Sequence, residues 1–323
     1  MALSWYIDGF VDEEDSVQVS GLDHEALYYQ DLDDFLAKTT AFVREGVEEG
    51  EPVLVAVPEP RLSALRHEHR DEPVRFLDMT EVGRNPNRLM PWVLMEFVRK
   101  HEPQRVRIVG EPIYIGRSKE EIELAVQHEA LINLALAGAD AGILCPYDVR
   151  LAEILSYADQ THPTVLDERG RRPSPGYRNP YRVVSALNRP LPERMVVDEV
   201  LVFDRERLAR VRSAVSEHAT AAGLSPDRVH DVRLAVSEIC ANAILYGQPG
   251  LATLRMWTDD DRVVYEVRSG GHITDPLAGR VVPPPTAPGG RGLLIANRVC
   301  DLVQTYSVPE GTVTRLHMFL SPS

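Results

Sequence analysis

The stretch AVSEICANAILYG, residues Ala235 to Gly247, decides how the second half of this 323-residue chain folds. Val236, Ile239, Ala243 and Tyr246 recur at helical spacing and mark a core-facing stripe. Glu238 and Asn242 each precede a stripe position and lie four residues apart, so they share one flank of the helix. A carboxylate and an amide stacked at the edge of a buried face are either solvated residues or groups that meet a ligand. The neighbouring sequence has to decide between the two.

A helix precedes this one from near Asp204, with Leu208, Val211, Val215 and Ala219 on one face. Gly223 ends it, and Ser225 with Pro226 opens the next. Two strands follow, ATLRMW and RVVYEVR, joined at TDDD. A loop rich in Gly and Pro runs from Ser269 to Gly292. The chain closes with a short helix, LLIANRVC, and the strands LVQTYSV and VTRLHMFL, turned at PEG. This order predicts an α+β sandwich with helices on one face of a mainly antiparallel sheet.

Two glycine-rich pieces accompany the Glu238/Asn242 flank. In RSGGH, Gly270 and Gly271 end a strand and let backbone approach a ligand. In GGRGLL, Gly289, Gly290 and Gly292 surround Arg291 before a helix whose first amides suit an anion. The proline-rich VVPPPTAPGG between them suits a lid.

The first half alternates helix and strand patterns. Leu32, Phe35, Leu36, Thr39, Phe42 and Val43 form a helical stripe, and PVLVAVP, VRFLD, VRIVG and GILC read as strands. A helix is expected from about Pro86, capped by Asn85, with Leu89, Val93 and Phe97 on one face. Another is expected from the Ser118/Glu121 capping box to Leu136. Such alternation predicts helices on both faces of a mostly parallel sheet. Residues 163–192, rich in Pro, Arg and Gly, read as a linker between a first domain at 1–162 and a second at 193–323.

The formal charge of −14 and the absence of a basic run argue against nucleic acid and against an anionic membrane surface. No run approaches the ~18 apolar residues of a membrane span. The acidic start MALSWYIDGFVDEED lacks the order of a signal peptide. Cys145, Cys240 and Cys300 sit apart in apolar segments and read as buried free thiols, which fits a cytoplasmic protein.

Together these pieces resemble the GHKL (Bergerat) ATP-binding fold, and within it the bacterial anti-sigma-factor serine kinases, over roughly Glu193 to Leu320. SEICANAILYG matches the family's N-box. The resemblance implies that Asn242 coordinates Mg²⁺ on ATP phosphates and that Glu238 is the base toward the attacking hydroxyl. GGRGL matches the phosphate-binding glycine box, which implies cofactor contacts for Gly290, Arg291 and Gly292. The family places an Asp against the adenine amine, and here Ser269 stands in that position, followed by Gly271. Asp275 lies too far along to substitute for it. A charged acceptor contributes ~1.5–3 kcal/mol and a neutral one ~0.5–1.5. The exchange therefore predicts roughly tenfold weaker nucleotide binding.

The first half, roughly Gly21 to His162, resembles the MEDS-type sensory domain through DHEALYYQ, FLDMTEVGRNP, GEPIYIGRS, HEALINLAL and LCPYDV. The resemblance implies a small-molecule signal and makes His24 the characteristic histidine. In a parallel α/β sheet the pocket lies beyond the strands' carboxyl ends. Asp78, Glu111, Tyr147 and Asp148 follow strands there, and His24 is expected just before the first helix. A metal set of His24, His128 and Glu111 has no standard ligand spacing.

The fused pair resembles actinobacterial anti-sigma regulators, which implies a sigma factor or a STAS-type anti-anti-sigma protein as partner, and a homodimer in some cases. Three functions are distinguished: an ATP-dependent serine kinase, a docking module of the same fold with weak ATP binding, and a sensor histidine kinase. The last needs a dimerising hairpin that the sequence lacks, and His218 in SEHATAAG reads as a solvated surface residue.

Overall fold

The computed structural model describes residues 21–247, 252–287 and 289–320, which build two sheets, each with its own helices. The first unit runs β1 (Leu22–Tyr29), α1 (Leu32–Glu48), β2 (Val53–Val57), α2 (Arg61–Glu68), β3 (Val74–Asp78), α3 (Met79–Val82) and α4 (Met95–His101). It continues through β4 (Val106–Gly110), α5 (Lys119–Ala135), β5 (Ala141–Asp148), α6 (Ala152–Thr161), β6 (Thr164–Asp167), β7 (Gly170–Pro173) and α7 (Pro180–Leu187). The strand order is β3-β2-β4-β5-β1-β6-β7, parallel except for β7. β2 and β5 are buried along their whole length, as apolar runs covered on both faces must be. Phe35 and Val43 of α1 with Leu62 and Leu65 of α2 fill one face. Phe97 of α4, Ala125 and Ile132 of α5, and Val183 and Leu187 of α7 fill the other.

The expected helix from Pro86 forms in three pieces: a 3₁₀ turn at Pro86–Arg88, a π turn at Met90–Leu94, and α4. Pro91 has no N–H for the carbonyl one turn back, so the ladder widens there. Asn85 caps the segment as expected, accepting from the Asn87 N–H at 3.1 Å. Two placements differ from expectation. LDHEALYY is an interior strand rather than a lead-in, so His24 lies inside β1 between β5 and β6. Residues 163–192 extend the first unit, with β6 and β7 lengthening its sheet and α7 covering α5.

The second unit comprises β8 (Glu199–Phe203), α8 (Leu208–Ala221), α9 (Pro226–Tyr246), β9 (Ala252–Thr258), β10 (Arg262–Ser269), α10 (Gly292–Val299), β11 (Leu302–Val308) and β12 (Gly311–Phe319). Its sheet is antiparallel in the order β11-β12-β10-β9-β8. Val211 and Val215 of α8 and Val232, Val236 and Ile239 of α9 pack on Leu254, Met256, Tyr265 and Leu316. This is the expected sandwich with one more strand, β8, whose alternating exposure marks a sheet edge. Tyr246, read as part of the stripe, is exposed.

The units meet through the 84–88 segment. The Asn85 amide donates to the Asn297 carbonyl at 3.1 Å, and Arg88 donates to the Cys300 carbonyl at 2.9 Å. Arg280, from the loop before α10, donates to Asn87 at 2.9 Å and to Gln127 of α5 at 2.6 Å. Among the described residues, no helix is long and apolar enough to cross a membrane.

Candidate functional site

In the second unit, the C-terminal half of α9 is where the sequence-predicted residues converge. Gly292, the first residue of α10, lies directly against the flank: a Cβ there would sit 2.5 Å from Asn242 Nδ2 and 3.4 Å from Glu238 Cβ. Any larger residue would displace the Asn242 amide from its position. Gly290 holds φ +87°, a left-handed turn that favours glycine, with open space around its Cα. Gly289 approaches the Tyr246 hydroxyl, and Gly271 packs on the Tyr246 carbonyl. Ser269 ends β10 opposite Thr312, whose hydroxyl donates to the Gly271 carbonyl at 2.7 Å. Gly292 thus meets Glu238 and Asn242 two turns and one turn before the end of α9, while Ser269, Gly271 and Gly289 lie by the end itself, at Tyr246 and Gly247.

Arg291 turns away from that convergence. Its guanidinium donates to the carbonyls of Pro284, Pro285 and Ala287 at 3.1–3.3 Å and pins the proline-rich loop. On the other side of Glu238, a groove of about 590 Å³ opens between α8 and α9, bordered by Arg212, Ser216, Arg233 and Ser237. His218 is not free on the surface. It is held by Asp198 at 3.0 Å and the Tyr265 hydroxyl at 3.2 Å.

In the first unit the expected pocket residues separate into groups. Glu111 follows β4 and receives both Arg61 N–H groups at 2.7 Å and the Tyr29 hydroxyl at 3.0 Å. Burial pushes its carboxyl up to about 7 against the pull of Arg61. Asp148, at the end of β5, is gripped by Arg150, which holds its carboxyl below the usual range. Asp78 caps α3, accepting from Thr80 N–H and hydroxyl at 2.8 and 2.7 Å. His128 is buried, and desolvation pulls it down to about 4. It borders a small cavity of about 10 Å³ whose other walls include Met79, Leu89, Ile108, Glu129 and Cys145.

His24 belongs with partners that the sequence did not suggest. Its Nε2 lies 3.1 Å from Glu129 Oε2 and 3.5 Å from Cys145 Sγ, and its ring stacks 4.1 Å from that of His162. Cys145 Sγ lies 3.3 Å from Glu129 Oε2, and His162 Nε2 lies 3.1 Å from the same oxygen. Burial lowers the His24 imidazole, and His162 lowers it further. Burial pushes the Cys145 and Tyr147 groups up. Glu129 Oε2 lies between the two imidazoles, 3.1 Å from each Nε2. A sequence signal existed: Glu129 and Asn133 are polar residues four apart on the apolar face of α5, the pattern that singled out Glu238 and Asn242.

Comparison with known proteins adds family assignments. Residues 23–163 match the model of the methanogen/methylotroph DcmR sensory domain, MEDS. Residues 201–318 match that of the histidine kinase-like ATPase domain. No curated protein matches the chain. Among solved structures, the RsbU and RsbW domains of Rv1364c from Mycobacterium tuberculosis align at 17% identity and a TM-score of 0.27. That alignment covers 37% of this chain and 32% of that one, so the chain spans about a third of that protein's length. The histidine kinase AdeS of Acinetobacter baumannii aligns at 12% identity and a TM-score of 0.23, covering 38% of this chain and 68% of that one. The fold assignment rests on the family models and the sheet topology.

Proposed function

Because the chain joins a MEDS sensory domain to a histidine kinase-like ATPase domain, we propose that it is a cytoplasmic anti-sigma regulator. In this reading its second domain binds Mg²⁺–ATP and phosphorylates a serine of a STAS-type anti-anti-sigma partner. In the alternate state it holds a sigma factor, and a small-molecule signal at the first domain biases the choice.

The observation that supports this most is the contact of Gly292 with Asn242 and Glu238. It leaves a glycine-lined cradle at a helix start, where a Cβ would fill the space and backbone amides favour phosphate. The Asn242 side chain would hold Mg²⁺, whose charge would neutralise phosphate oxygens when bound. Glu238, half-buried between this cradle and the α8–α9 groove, would accept the proton of the partner's hydroxyl. Arg291 ties the 284–287 segment to the start of α10 through backbone carbonyls.

The test is a titration of Mg²⁺–ATP against the full chain and against Asn242→Ala. The wild type is expected to bind at least tenfold more tightly. Equal, negligible binding in both leaves the docking module, a reading that Ser269 in place of the family's Asp specifically favours. Labelled ATP with a STAS-type partner is expected to yield acid-stable phosphoserine. Acid-labile phosphohistidine would point to a histidine kinase, a role for which His218, already bonded to Asp198 and Tyr265, is poorly placed.

A further inference from the structure

We propose that the first domain holds a first-row transition-metal dication of the zinc class, ligated by His24, Glu129, Cys145 and His162. These residues come from β1, α5, β5 and the residue after α6, all fully buried, with their donor atoms within 4.8 Å of one another.

The argument is an accounting of protons. The Asn133 Nδ2 group donates to the carbonyls of Thr161 and Ala130 at 2.8 and 3.2 Å, so its oxygen must face His24 Nδ1, 3.1 Å away. His24 Nδ1 is therefore the protonated nitrogen. His162 Nδ1 lies 2.9 Å from the Ala158 carbonyl, an acceptor only, so it too carries its ring's proton. Neutral imidazoles then leave both Nε2 atoms without a proton, each 3.1 Å from Glu129 Oε2. The Cys145 thiol can donate to Glu129 Oε2 at 3.3 Å, and a proton on one ring would pair with the carboxylate. Either leaves at least one Nε2 lone pair facing that oxygen. Protonating both rings buries a surplus positive charge with no counterion, which costs several kcal/mol per ion. His162 Nε2, Glu129 Oε1 and the neighbouring Tyr147 hydroxyl have no hydrogen-bond partner among the described residues. A buried polar group left in that state is expensive.

A dication removes the conflict. It accepts both lone pairs and, with the carboxylate and a thiolate, makes a site of zero net charge; the thiol proton leaves to solvent on binding. Metal–nitrogen bonds of ~2.0–2.1 Å and a metal–sulfur bond of ~2.3 Å give tetrahedral edges of about 3.3–3.6 Å. Four of the six donor separations, 3.1, 3.1, 3.3 and 3.5 Å, differ from those edges by tenths of an ångström, and the other two lie within 4.8 Å. The outer partners also fit, since metal-bound imidazoles usually donate their second N–H to a carbonyl or carboxylate. Here Asn133 and Ala158 supply those acceptors. One thiolate and two imidazoles favour zinc, cobalt or iron over magnesium or calcium, which prefer oxygen ligands.

Cobalt(II) is the direct probe. The full chain, stripped with a chelator, is expected to take up one Co²⁺ and develop a thiolate-to-cobalt charge-transfer band together with intense tetrahedral visible bands. Zn²⁺ should displace them. Cys145→Ser should abolish the charge-transfer band, and Asn133→Ala should weaken metal binding ~10–100-fold while keeping the wild-type band positions. Wild-type protein that takes up no cobalt, or whose charge-transfer band survives Cys145→Ser, would overturn the assignment.

Discussion

Helices α5 and α9 carry the same pair at the same spacing, Glu129 with Asn133 on one and Glu238 with Asn242 on the other. On α5 the pair sits in the middle of the buried face, 0% and 5% exposed, and Glu129 Oε2 and the Asn133 amide contact β1, β5 and the end of α6. On α9 the pair lies half-buried on a flank, against a glycine that leaves room beside it. One pattern therefore serves a closed cluster in the first domain and an open lip in the second. Depth, set by whether a sheet or a loop covers the helix, decides which.

The largest expected effect compares the same substitution in both helices. Glu129→Gln removes the anionic ligand from the buried cluster and should cost the metal-loaded chain about 2 kcal/mol in denaturation experiments. Glu238→Gln should stay within about 0.5 kcal/mol while abolishing any phosphotransfer. Equal costs at the two sites would mean that burial does not separate them.

Acidification probes the second domain away from its lip. His317 on β12 is buried beside Gln304, and desolvation pulls its imidazole down to about 3. Above its unfolded value near 6.5, the group is neutral in both states and contributes nothing. As pH falls below 6.5 the unfolded chain binds a proton that the folded chain refuses, so stability drops by up to ~1.4 kcal/mol per pH unit until about pH 3. His317→Leu should flatten that slope in urea denaturation of the full chain between pH 7 and pH 5. A slope unchanged from wild type would show that another group dominates.

The smallest effect sharpens the open site. Ser269→Asp restores a charged acceptor at the end of β10 and should tighten ATP binding roughly tenfold by calorimetry. No gain would mean that this strand end does not face the adenine.

The α9 flank was legible in the sequence because its signals are local: a helical stripe, two glycine clusters and their order along the chain. The parallel strands β2 to β5 were legible as apolar runs. β1 was not, because Asp23, His24 and Glu25 mask its pattern, and the latter two are buried only through partners far away in sequence: Glu129 for His24 and Arg171 for Glu25. β6 and β7 were hidden by prolines and arginines that a short edge tolerates. The cluster's four residues stand at 24, 129, 145 and 162, spacings that correspond to no ligand motif; only the strand order makes them neighbours.

Gln127 grips Arg280 from the same helical turn of α5 that presents Glu129 to the histidines. One helix therefore touches both the His24–Glu129 cluster and, through Arg280, the loop before α10. Glu129 and Arg280 thus share one helical support at the boundary between the two units.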